Sequence, residues 1–223
     1  GAIGAALASS YMHFNVPRKI NYQNDSQKGS YLGPSYSMPE VITSLDKNNA
    51  VYKVINDRKK RTQLIAKSIA DGKVVGLMSG RMEFGPRSLG ARSILGDPRN
   101  SNTQTIMNLK IKYRESFRPF APSVLKEKAS QWFDLKSDSP YMLLVAPVSK
   151  KYQLPLQIEL EKEDDLLKIV STPRSSIPAV THVDYSARIQ TVEESINPEY
   201  YSIISEFNEL TGCPLIVNTS FNV

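Results

Sequence analysis

The sequence predicts a mixed α/β sheet domain on the border with α+β. Three observations support this: short β-rich runs alternate with helical patterns, turn residues separate them, and 40% hydrophobic residues in 223 suffice for a core. Residues 1–14 open the chain as an alanine-rich helix, and 16–48, with Pro17, Gly33, Pro34 and Pro39, read as an irregular connection. Apolar Val54, Ile55, Leu64, Ile65 and Ile69 mark a helix over 53–70, whose basic run Arg58, Lys59, Lys60 and Arg61 reads as a solvated face. Asp71-Gly72 ends it, and 73–78 is a short strand. After a Gly- and Arg-rich segment come a helix over 103–112, a strand over 120–125, a helix over 126–133 and a buried strand over 142–148. Residues 149–176, charged and proline-punctuated, read as a mobile excursion. A strand or bent strand pair over 179–192, a helix over 199–210 and an apolar strand over 214–217 complete the domain.

Composition narrows the function classes. The longest weakly polar run, 1–12, is short of the roughly 18 apolar residues of a membrane span, and no basic start precedes an apolar core, so neither a span nor a secretory signal is expected. The chain begins without an initiator Met, as a piece of a longer sequence would. One cysteine, Cys213, excludes an internal disulfide and suits a reducing, cytoplasmic setting, where it reads as a buried small hydrophobe. Two histidines, His13 and His182, with that cysteine are too scattered for a zinc or iron site, so no metal site is expected in these residues. The net charge is +6, and residues 81–118 alone, with eight basic and three acidic side chains, carry +5. Such a focus suits a phosphate, a nucleotide or a nucleic-acid backbone.

Three runs carry the chemistry. The first is Gly80-Arg81-Met82-Glu83-Phe84-Gly85-Pro86-Arg87-Ser88-Leu89-Gly90-Ala91-Arg92-Ser93-Ile94-Leu95, where glycines admit close backbone approach and guanidinium forks bind phosphate or carboxylate bidentately. It is not a Walker loop, and it reads either as an anion site or as a turn with surface and ion-paired arginines. In the second, Asn108 to Pro122, Lys112 and Arg114 stand two apart on an extended segment and point the same way, with Arg118 beyond; the bland alternative is a basic helix end before a loop. The third, Pro214 to Asn222, is a strand running into Asn218, Ser220 and Asn222, either ligand donors at a strand end or a plain turn.

Together these runs closely resemble the O-carbamoyltransferases of nodulation-factor and antibiotic biosynthesis. Tyr31-Leu32-Gly33-Pro34-Ser35, Thr181-His182-Val183-Asp184 and Arg188-Ile189-Gln190-Thr191-Val192 extend the resemblance, which is weakest over 126–176. It implies a YrdC-like twisted mixed sheet flanked by helices over 49–223, C-terminally incomplete, after a linker at 15–48 and the last helix, 1–14, of an actin-like ATPase-fold domain. The implied activity is activation of carbamoyl phosphate by ATP, with Mg2+, to carbamoyl adenylate for a hydroxyl acceptor. Iron and the acceptor site are implied for the domain outside this chain. The Lys-x-Arg and Ser-x-Asn signature falls on Lys112, Arg114, Ser220 and Asn222, and Arg81, Glu83, Gly85, Arg87, Arg92, Ser93, Arg118, Arg188 and Asn218 are the expected phosphate and substrate contacts. Tyr185 departs from the glycine more usual there. His182 reads as a structural residue. The competing class is a tRNA-type nucleic-acid module, disfavoured by the few aromatics interleaved with the basic residues, and a third is a scaffold that only docks the other domain.

Overall fold

A computed structural model describes residues 1–19, 25–155 and 165–222. Its elements in chain order are α1 (Ala2–Ala8), α2 (Met38–Lys47), α3 (Arg58–Ala70), β1 (Val75–Met78), β2 (Arg92–Gly96), α4 (Ser101–Lys110), β3 (Ala121–Leu125), α5 (Ala129–Trp132), β4 (Leu144–Pro147), α6 (Leu166–Ser171), β5 (Ser186–Val192), α7 (Pro198–Thr211) and β6 (Leu215–Thr219). The six strands form one mixed sheet in the order β1-β2-β6-β3-β5-β4. Only β3 and β5 are parallel, pairing Ser123 with Gln190; β6 runs antiparallel to both β2 and β3 and pairs Asn218 with Leu95 and Ala121.

Local chemistry explains the helices that hold this sheet. In α7, Tyr200, Ile203, Ile204 and Phe207 recur at helical spacing and are fully buried. The Asn197 side chain accepts from Tyr200 N, Pro198 occupies the first turn, and Gly212 closes the helix at φ +71 with its N–H on Asn208 O. Helix α3 buries Thr62, Ala66 and Ile69 and is capped by Asp57. It packs on α7, and Arg58 and Arg61 both pair with Glu199, so the expected solvated basic face is half engaged. Gly96 lets the Met107 and Thr103 side chains of α4 approach β2, since a Cβ there would lie 2.9 Å from both.

Several expected elements shift. The helix of 53–70 starts at Arg58, because Asp57 caps it and 51–57 run without regular structure. The connection at 16–48 contains α2, started by a capping box in which Ser37 N and Oγ both donate to Glu40 Oε2 at 2.7 Å. Residues 30–34 of it dock on the Gly- and Arg-rich segment: Phe84 N donates to Ser30 O, Gly33 N to Met82 O and Met82 N to Pro34 O. That segment ends in a strand, β2, that was not expected. The strand of 179–192 begins only at Ser186, after a tight turn in which Tyr185 N donates to His182 O. The strand of 142–148 is the sheet edge and is largely exposed at Leu144 and Val145, not buried. Of the excursion, 149–155 and 165–176 are anchored, Tyr152 stacking on Trp132 at 3.8 Å and Gln153 bridging to Ser175; 156–164 lie outside the described residues.

The tightest packing constraint lies at Gly90, whose φ is +106 and where a Cβ would sit 2.2 Å from the Tyr200 ring. Gly90→Ala therefore combines left-handed strain with overpacking, and chemical unfolding is expected to show a loss of about 3 kcal/mol.

Candidate functional site

The loop between β1 and β2 turns around one buried carboxylate. Glu83 Oε1 accepts the backbone N–H of Leu89 at 2.7 Å, Ala91 at 2.8 Å and Arg92 at 3.2 Å, and Oε2 accepts from Arg92 Nε at 3.2 Å. Arg92 also donates to Glu83 O, and Ser93 Oγ accepts from Gly90 N. Closed in this way, the loop projects Pro86, Arg87 and Ser88 beyond the sheet.

Buried amides join that projection to the strands. Asn218 on β6 donates to Ser88 O at 3.0 Å and Gln190 Oε1 at 2.9 Å, and accepts from Ser88 Oγ at 3.1 Å. Gln190 on β5 accepts from Ser123 Oγ at 2.6 Å and donates to Leu89 O at 2.8 Å. Leu89 O accepts as well from Tyr31 Oη at 2.7 Å, and Tyr31 Oη in turn accepts from Asn197. Asn218 is thus an organiser of the site's wall.

The second wall comes from the end of α4. Asn108 Nδ2 donates to Ser116 O and Arg118 O, and its Oδ1 accepts from Arg114 Nε at 2.6 Å, which pins the loop carrying the cations. Lys112, only 6% exposed, donates to Ser220 O at 2.5 Å and to Asn222 O. It staples the end of β6 to α4. The Arg114 guanidinium lies 4.9 Å over the Phe120 ring, and Ser220 Oγ donates to Asn222 Oδ1.

Between the walls lies a cleft of about 400 Å³, lined by Arg87, Lys112, Arg114, Arg118 and Arg188 with Ser88, Asn218, Thr219, Ser220 and Asn222. Five basic and no acidic side chains line it. Arg118 pairs with Glu115 at 2.9 Å, whereas Arg87 and Arg188 have no carboxylate partner among the described residues. The pKa values follow this crowding. Burial, then the Arg114 charge, lowers Lys112; burial, then Arg118, lowers Arg114 against the opposing effect of Glu115; burial, then Arg87, lowers Arg188. Unpaired cations held close together in a concave polar pocket are the arrangement an anion stabilises.

Eight of the thirteen expected site residues converge here: Arg87, Lys112, Arg114, Arg118, Arg188, Asn218, Ser220 and Asn222. Gly85 and Arg92 line an adjoining lobe of about 370 Å³ that shares Arg87, Ser88, Ser220 and Asn222 with the cleft. Arg92 is engaged by Glu83 there. Glu83 lies buried inside the loop and Ser93 buried on β2, and Arg81 is an exposed residue that donates to Leu32 O at 3.4 Å. Those three line neither lobe. Ser88, Phe120 and Met142 line the cleft without having been singled out; nothing in the local pattern of Met142 signals it, because it arrives from the strand edge. His182 Nδ1 is 3.0 Å from Ser186 Oγ, in line with a structural role, and Cys213 is buried with its thiol pushed up to about 12. Tyr185 holds φ +65, the conformation a glycine adopts freely.

Residues 66–223 match the family described as carbamoyltransferase C-terminus. The whole chain aligns at 51% identity over 225 residues with the uncharacterized protein sll1178 of Synechocystis sp., covering 36% of that protein. Nodulation protein NolNO of Sinorhizobium fredii is 43% identical over 160 residues, 70% of this chain and 20% of the relative. The 3'-hydroxymethylcephem-O-carbamoyltransferase of Amycolatopsis lactamdurans is 35% identical over 187 residues, 84% of this chain and 31% of the relative. The chain spans about a third or less of the length of these relatives.

Two outcomes follow from the geometry. Glu83→Gln removes the charge that gathers three N–H groups and is expected to cost about 3 kcal/mol in chemical unfolding, with the cleft's anion affinity falling too. His182 has a pKa below its ordinary value, through burial first and the Arg188 charge, with Asp184 opposing. The unfolded chain then takes up the proton first, so the stability His182 contributes is full above its unfolded pKa and is lost as pH falls through the folded value. Unfolding at pH 8 and pH 5 should show a smaller loss on acidification in His182→Gln than in the unaltered chain.

Proposed function

This chain belongs to the carbamoyltransferase C-terminus family, and on that premise we propose that its cationic cleft binds the phosphate of carbamoyl phosphate beside ATP. The convergence of Arg87, Lys112, Arg114, Arg118 and Arg188 without a lining carboxylate is the observation that carries the reading. In it, Arg87 and Arg188 hold phosphate oxygens from the wall of loop and strands, Arg114 holds a third position from the wall at the end of α4, and Ser220 and Asn222 hydrogen-bond the carbamoyl group. Lys112, already committed to two carbonyls, contributes its field and shapes the wall. The adjoining lobe across Arg87 provides room for the second substrate.

The proposed chemistry has two displacements. Water takes the phosphoryl group, the O–P bond of carbamoyl phosphate breaks, and carbamate and phosphate form. A carbamate oxygen then attacks the α-phosphorus of ATP, the α–β bridging bond breaks, and carbamoyl adenylate and pyrophosphate result. Cations that stabilise charge on leaving phosphate and hold the two substrates together supply what such steps need, electrostatic and positional catalysis. The cleft lining holds no carboxylate for Mg2+, which in this reading enters on the nucleotide's phosphates. In the longer relatives' architecture, we assign transfer to the acceptor hydroxyl, with release of AMP, and the iron to the part outside this chain, and we place the protein in the cytoplasm. The same reading takes the sheet as YrdC-like and the outside part as an actin-like ATPase fold.

Isothermal titration of the chain with carbamoyl phosphate and with ATP tests this, with short RNA alongside at two salt concentrations. Saturable binding of the small ligands is expected, weakened at least about tenfold by Arg188→Ala, the size of one lost charge-assisted contact. Binding of RNA with a steep salt slope and no heat from either small ligand would replace the reading with a nucleic-acid module.

A further inference from the structure

We infer that Gln190, a residue that lines no wall of the cleft, is a positioning residue that sets the spacing between Arg87 and Arg188; the inference rests on reading the cleft as an anion site. Gln190 is 3% exposed and follows Arg188 by two residues on β5, so both side chains stand on one face of the strand. Arg188 projects into the cleft, while the Gln190 amide reaches the opposite loop through Leu89 O at 2.8 Å. Leu89 is two residues from Arg87. One strand thus presents one cation and, through one amide, anchors the loop presenting the other.

The need for such an anchor is electrostatic. Arg87 and Arg188 are like charges close enough for the first to lower the pKa of the second, and no carboxylate among the described residues draws them together. Their repulsion opposes the approach of the loop to β5 as long as no anion lies between them. One hydrogen bond resists it directly, Gln190 Nε2 to Leu89 O, and two more hold the loop to β6: Asn218 Nδ2 to Ser88 O and Ser88 Oγ to Asn218 Oδ1. Gln190 also orients Asn218, because its Oε1 accepts from both Asn218 Nδ2 and Ser123 Oγ. A glutamine serves where a glutamate does not, since the same side chain must accept from two donors and donate to a carbonyl.

That requirement supplies the test. In Gln190→Glu, a protonated carboxyl reproduces every one of these bonds, with its O–H on Leu89 O, whereas the carboxylate loses the donor and repels the carbonyl. Sulfate is the probe, because its charge stays at −2 from pH 5 to pH 9, and its affinity is measured by titration calorimetry in the unaltered chain and the variant. The groups facing this region that also titrate or carry charge are His182, Glu83, Tyr31 and Tyr200 together with the cleft's own Lys112, Arg87, Arg114, Arg118 and Arg188, and the unaltered chain run in parallel carries their contribution. The expected result is near-equal affinity at pH 5 and an affinity in the variant roughly tenfold lower at pH 9, the size of one displaced cation contact. Gln190→Met, which can neither donate to Leu89 O nor titrate, provides the second arm. It should weaken sulfate binding in the unaltered chain and in Arg188→Ala, but not in Arg87→Ala, where there is no cation left to position. A general loss of structure would instead weaken binding in all three backgrounds and would overturn the inference, as would equal binding by Gln190→Glu at both pH values. Failure of the unaltered chain to bind sulfate, or binding indifferent to Arg188→Ala, would overturn the anion reading itself and the inference with it.

Discussion

The Glu83 carboxylate, buried and surrounded by N–H donors, is what gives the loop over 83–92 a single shape. A loop rich in glycine and proline has little regular hydrogen bonding of its own, and its inward N–H groups need an acceptor. Glu83 supplies one acceptor to three of them, and Arg92 balances its charge. Once the loop is closed, Gly90 lies flat on the Tyr200 ring, Leu89 O faces both Gln190 and Tyr31, and Arg87 points outward. The position of Arg87 in the cleft lining is therefore a consequence of a carboxylate that itself lies outside that lining.

Two classes of arginine result. Arg58 and Arg61 sit on Glu199 and fasten α3 to α7, Arg92 sits on Glu83 and fastens β2 to the loop before it, and Arg99 sits on Asp97 within the turn between β2 and α4. Arg87 and Arg188 both line the cleft with no such partner among the described residues, and Lys112 is buried against two carbonyls. Placing cations together without counter-charges costs free energy, and the buried amides of Asn218 and Gln190 offset it by tying loop, β5 and β6 into one unit. In the function proposed above, a bound anion would supply the missing counter-charge. In this member of the carbamoyltransferase C-terminus family, the loop over 83–92 and the strands β5 and β6 concentrate positive charge on one cleft.

Segment 25–34 also belongs to this unit. Tyr31 reaches Leu89 O and Asn197, Asp25 accepts from Gln27 N and Gly29 N, and Ser30, Gly33 and Pro34 pair with residues 82–84. By contrast, α1 and α2 bury no residue, although α2 carries apolar Met38, Val41, Ile42 and Leu45 at helical spacing. The connection is thus a strap at 25–34 over the loop, followed by the uncovered helix α2, and α1, which precedes the connection, is uncovered as well.

The sequence by itself determined the alternation of helices and strands and the concentration of charge at 81–118, because burial period and composition are local properties. Helix α7 is the clearest instance: its cap, its apolar stripe and its terminal glycine are all written in consecutive residues. Helix α2 was equally legible in Ser37 and Glu40 but is masked by the prolines around it. Strand β2 follows directly on a loop signal and is recognisable as a strand only through its pairing with β1 and β6. What only the tertiary structure decided is which cation is free. Arg87 and Arg92 look alike in the chain, five residues apart in one motif, yet one meets a carboxylate and the other meets a cleft. That difference is set by which way the loop, closed on Glu83, turns each side chain once it is seated against Tyr200, Gln190, Asn218 and Tyr31, whose bonded pairs lie 58 to 130 residues apart along the chain.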